Sequence, residues 1–157
     1  MTAAHRLSLL QEFYEDRQRL AQDHLTSARH VEDYQFNNTY QYIIAREETH
    51  LQWVANAITR LGGSLPPPAP TEPGTLPGAQ AIGRDLERQR AFVERWRTRV
   101  AGLTNARDRK MLEVILGEAL EHAQLFADAQ AGRKDLLGRS DTGAGERGAV
   151  LPNRWIE

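Results

Sequence analysis

Residues 7–61 contain neither proline nor glycine, and six of the seven prolines then fall together at positions 66, 67, 68, 70, 73 and 77. Proline removes a backbone donor and clashes with the preceding turn, so this distribution forbids helix in one stretch and leaves it unopposed in another. Apolar residues recur at three- and four-residue steps through the proline-free stretch, the period of an α-helix. A single helix over it would run ~80 Å at ~1.5 Å per residue, too long for one small domain. The stretch must therefore fold back on itself. A break at 29–33, with Asp33 as N-cap, predicts helices over about 5–30 and 33–61, the second stopped by Gly62 and Gly63.

The proline-rich segment 62–79 reads as a structureless connection. Beyond it Ile82, Leu86, Val93, Trp96 and Val100 share a helical face, which predicts a third helix over 80–101 ended by Gly102. A fourth follows over 105–131, capped by Thr104 or Asn105 and striped by Met111, Ile115, Glu118, His122, Leu125 and Ala129. Short links inside each helix pair make antiparallel hairpins. The long middle link, which in polyproline II form reaches ~50 Å, lets helices two and three run parallel. The expectation is an all-α four-helix bundle over 1–131 with a long crossover between helices two and three. A Gly-rich tail, 132–157, ends in Val150, Leu151, Trp155 and Ile156, an apolar hook expected to dock on this bundle or on a neighbouring subunit.

At 157 residues and 40% hydrophobic, the chain has the material for one domain and one core. A formal net charge of −1 gives no general attraction for nucleic acid or an anionic membrane. The arginines of helix three are interleaved with Asp85, Glu87 and Glu94 and read as a salt-bridged outer face. The absence of cysteine excludes disulfides, thiolate metal sites and cysteine nucleophiles. No segment has a signal-type apolar core or the ~18–20 apolar residues of a membrane span, so a cytoplasmic protein with no membrane partner is expected.

The chemistry is concentrated in REETHLQW, residues 46–53. On a helix Ile43, Glu47, His50, Val54, Ala57 and Leu61 form one face, which puts a carboxylate and an imidazole inside an apolar stripe. A buried ionised carboxylate without a partner is very costly, so a metal ion, another cation or a hydrogen-bonded network must accompany Glu47. The anomaly recurs in GEALEHAQLF, residues 117–126, where Glu118 and His122 lie on the apolar stripe and Glu121 at its margin. Facing Glu and His groups in a bundle can ligate borderline-hard divalent ions such as iron, manganese or zinc.

Glu47-Glu48-Thr49-His50 resembles the Glu-x-x-His element of the ferritin-like, rubrerythrin- and bacterioferritin-type diiron carboxylate proteins, and the long crossover resembles their connectivity. In that family two helices each give a Glu and a His, and the other two each give a Glu. The resemblance implies Glu47, His50, Glu118 and His122 as metal ligands; the family's three-residue spacing, counted from Glu118, lands on Glu121 instead of His122. Residues equally far from a hairpin turn stand at one height, which brings Glu15 opposite Glu47 and Glu87 opposite Glu118. Glu12, Asp16 and Glu94 are alternatives, and Gln89 lies nearer the helix-three stripe than Glu87.

What the resemblance implies is a centre of two iron ions, or manganese or zinc, acting on oxygen, peroxide or ferrous iron. An enzyme of this kind would be a diiron oxidoreductase of oxidase, peroxidase or ferroxidase type. Its electron donor would be external, and the chain would form a homo-oligomer, a dimer or larger. A second reading is a metal-free ferritin-like bundle serving as an assembly or partner-binding module, favoured by Gln89 and the four-residue spacing on helix four. A third is a mononuclear site of His24, His50 and His122, although His24 also suits a hydrogen-bonded core position.

Overall fold

Side-chain caps open three of the four helices, and left-handed glycines follow two of them. In the computed structural model, which describes residues 1–68, 70, 76–133 and 135–138, α1 spans Ala3–Ala28 and α2 spans Tyr34–Arg60. Helix α3 spans Gly78–Ala101 and α4 spans Ala106–Gln130. Thr2 accepts from the His5 N–H to open α1, and Asp33 accepts from the Gln35 and Phe36 N–H groups to open α2. Asn105, not Thr104, caps α4 by accepting from the Asp108 N–H. Each cap satisfies helix-end donors that would otherwise have no partner. Gly62 and Gly132, with φ of +76° and +89°, follow α2 and α4 in a conformation that a side chain would strain. Asn37 ties the first hairpin together by donating from Nδ2 to the Ala28 carbonyl at 2.9 Å.

The four helices pack as a bundle in which α1 lies beside α2 and α3, and α4 beside α3 and α2. The pairs α2/α3 and α1/α4 are therefore diagonal. Gln11 near the start of α1 donates to the Ser64 carbonyl just past the end of α2, at 2.9 Å. At the opposite end, Val31 from the α1–α2 turn shares a groove with Pro77 and Gly78 at the start of α3 and with Gln130 at the end of α4. The crossover thus carries the chain the length of the bundle and across its diagonal, and α2 and α3 run in the same direction. This all-α architecture with its long crossover is compatible with a ferritin-like fold. Among the described residues no helix is long and apolar enough to cross a membrane. The apolar hook at 150–156 lies outside the described residues.

The interior is layered. One apolar cluster gathers Leu10, Phe13, Ile58, Phe92, Trp96, Leu112 and Ile115, with Phe13 edge-on to the rings of Phe92 and Trp96 at 5.4 and 5.0 Å. A second gathers Tyr40, Ile43, Ile82, Leu86 and Phe126 toward the α1–α2 turn. Between the two, all four helices present buried polar groups: Arg17 and His24 from α1, Glu47 and His50 from α2, Gln89 from α3 and His122 from α4, while Asp85 of α3 is buried within the second cluster beside Tyr40.

Candidate functional site

Arg17 is the centre of this polar layer. Its guanidinium is fully buried and lies on the same inward line of α1 as Leu10, Phe13, Leu20 and His24, at steps of three and four residues. Nη2 donates to His50 Nδ1 at 3.0 Å, and Nη1 stands 3.4 Å from Glu47 Oε2. The other Glu47 oxygen, Oε1, accepts from His24 Nδ1 at 2.7 Å. A carboxylate is thus held between a guanidinium and an imidazole, all three without solvent contact.

These contacts fix the protonation of each member. Burial works against ionised Glu47, but the charges of His24 and Arg17 and the His24 hydrogen bond outweigh it and lower its pKa. Burial likewise opposes protonation of His24, but Glu47, with help from Asp85, raises its pKa. His50 accepts from Arg17 at Nδ1, so it carries its proton at Nε2 and donates it to Glu118 Oε2 at 2.7 Å. Burial, with the Arg17 charge, keeps His50 neutral and lowers its pKa.

Glu118 closes the layer toward the surface. Arg46 grips it with Nε and Nη2 at 2.8 and 2.9 Å, and the Arg46 guanidinium lies 5.9 Å from the Trp53 ring centroid. Burial is again opposed, here by the hydrogen bonds from His50 and Arg46, and the Glu118 pKa falls below the usual carboxylate range. His122 stacks on His50 at 6.5 Å between ring centroids and meets Tyr42 edge-on at 5.9 Å. Neither of its ring nitrogens has a hydrogen-bond partner among the described residues, and burial drops its pKa to about 3.

A second buried pair sits beside this one. Tyr40 donates its hydroxyl to Asp85 Oδ2 at 2.6 Å, and burial followed by the Asp85 charge raises the tyrosine pKa. Tyr40→Phe would leave a buried carboxylate short of a donor. It is expected to destabilise the fold by about 2 kcal/mol in chemical denaturation, because removing one partner exposes the other's full desolvation cost. A change below about 0.5 kcal/mol would mean that Asp85 has another donor.

Of the seven residues singled out in the sequence, Glu47, His50, Glu118 and His122 reach the polar layer. Glu15, Glu87 and Glu121 do not: all three are exposed, and Glu15 pairs with Arg19 at 3.3 Å on the outer face of α1. Equal distance from a turn fixes height but not direction. Residues 15 and 87 lie two positions from the inward Arg17 and Gln89, ~200° around the helix at 3.6 residues per turn. The alternatives Glu12, Asp16 and Glu94 are also turned away, paired with Arg99, Arg95 and Arg97 respectively. Asp16 additionally accepts from Trp96 Nε1 at 2.7 Å.

The inward places opposite Glu47 and Glu118 are held by Arg17 and Gln89, the latter donating to the Ala119 carbonyl at 3.0 Å. These residues do not fit a dinuclear metal centre: two of the expected carboxylate positions carry a cation and an amide. Among the described residues no group of three or more His, Asp or Glu side chains is disposed to hold a metal ion. Arg17 was missed in the sequence, although the 10, 13, 17, 20, 24 spacing marks it as inward. Comparison with family models, curated proteins and solved structures finds no match.

Proposed function

We propose that the chain is a ferritin-like bundle that works without a metal, as an assembly or partner-binding module. One observation carries this reading: the Arg17 guanidinium stands between Glu47 and His50, donates to the neutral imidazole and, with His24, supplies the positive charge that burial of the Glu47 carboxylate demands. A metal ion is then not needed to hold the carboxylate in the core. The surface for a partner is drawn from the turn end of the bundle, where a cavity of about 700 Å³ is lined by Val31, Phe36, Leu76 and Ile82. Tyr34 stands 78% exposed at the same end, and exposed aromatic side chains beside a groove suit protein contacts.

The test is elemental analysis of protein purified without chelators, together with thermal unfolding in iron(II), manganese(II), zinc(II) or chelator. Wild type is expected to carry no more metal than Glu47→Ala and to melt at one temperature in every condition. Stoichiometric metal that Glu47→Ala loses would sink the reading. It would favour instead an iron-, manganese- or zinc-handling bundle, toward which the unpartnered nitrogens of His122 and the unbonded Glu47 Oε2 point.

A further inference from the structure

We infer that position 17 decides whether the centre of this bundle takes a divalent cation, and that Arg17 is what keeps one out; the inference rests on the metal-independent reading above. The guanidinium spans two fully buried groups, an imidazole nitrogen at 3.0 Å and a carboxylate oxygen at 3.4 Å. Both are donors that zinc, cobalt or manganese accept. The Arg17 charge lies directly between them, so a divalent ion entering there would meet a cation that no solvent screens. Arg17 Nη1 and Nε make no hydrogen bond among the described residues. The guanidinium is therefore held mainly by charge and by His50, as a cation in a socket rather than as part of a saturated hydrogen-bond lattice.

Reach decides what a substitution would do. A glutamate side chain is shorter than an arginine by roughly the ~2 Å of a metal–oxygen bond. A carboxylate at position 17 would stop short of the present guanidinium, and the space left would face Glu47 Oε2 and His50 Nδ1. Two carboxylates and an imidazole would then converge where one guanidinium stands. Two adjacent buried carboxylates repel unless one takes a proton or a cation joins them, so the variant removes the repelling charge and leaves a divalent ion to displace only a proton.

The experiment titrates metal-free wild type and Arg17→Glu with cobalt(II) alone, read by calorimetry and by visible ligand-field absorption. Arg17→Glu is expected to bind one ion per chain at least about 100-fold more tightly than wild type, with absorption that shows nitrogen and oxygen ligation. Should Arg17→Glu be unfolded when metal-free, recovery of its helical circular dichroism on adding cobalt(II) carries the same result, since binding is then coupled to folding. The inference is overturned if Arg17→Glu binds no tighter than wild type when folded, or stays unfolded in cobalt(II). Wild type that binds cobalt(II) tightly through Glu47 and His50 overturns the metal-independent reading as well. Two metal-free proteins overturn this inference alone.

Discussion

Replacing Arg17 by methionine is expected to cost about 3–5 kcal/mol of folding stability, the range seen when one partner of a buried ion pair is removed. The loss should appear as a lower denaturant midpoint at unchanged slope, because the surface exposed on unfolding hardly changes. The physical cause is the Glu47 carboxylate, which is fully buried and keeps only His24 as a charged neighbour once the guanidinium is gone. His50 Nδ1 loses its donor at the same time. The pair is better tested as a cycle. Arg17→Met combined with Glu47→Met removes both charges, leaves His24 free to be neutral, and fills the space with apolar atoms. The double variant should be more stable than Arg17→Met alone, as buried ion pairs replaced by apolar residues often are. Strictly additive losses would show that Arg17 and Glu47 do not depend on each other, and the view of Arg17 as the core's own cation would fail.

Acid should destabilise the protein before its carboxylates titrate, because of its buried neutral histidines. His122 takes a proton near pH 6.5 in the unfolded chain but only at about 3 in the folded one, chiefly through burial. Between those values the unfolded state holds the extra proton, so stability falls as pH falls. At ~1.4 kcal/mol per unit, the window is worth on the order of several kcal/mol. His50, lowered by burial in the same direction, adds to the slope. Glu47, whose folded pKa lies below its ordinary 4.5, contributes stability present above that value and lost as pH drops further. His24 has the opposite sign: its raised pKa gives stability that is full below 6.5 and is lost as pH rises through the folded value. His122→Phe keeps the ring contact with Tyr42 and removes one titrating group. Compared by urea denaturation at pH 7 and pH 4.5, the variant should lose distinctly less stability than wild type. Equal losses would place the acid sensitivity elsewhere.

The helices, their order and the crossover were legible in the sequence because each rests on a local rule. Proline cannot continue a helix, Asp33 and Asn105 cap one, and glycine follows α2, α3 and α4. The buried positions of Glu47, His50 and His122 were legible for the same reason, since the 3.6-residue period needs no knowledge of neighbours. The partners of those residues were not. Glu15 and Glu87 have the right charge at the right height, but the period that makes Arg17 and Gln89 inward turns them ~200° away; what no single helix shows is that Arg17 meets Glu47 and His50 across the interior.

What the sequence by itself determined, then, is an all-α bundle with a carboxylate and two imidazoles that have to be buried. Tertiary structure decided how that burial is made tolerable: α1 presents Arg17 and His24 to Glu47, and α3 offers Gln89 where a second carboxylate was expected. Helical period fixes which side of one helix is inward from local steps alone. Which groups meet across the interior depends on the relative rotation of four helices, a property set by packing of the whole core.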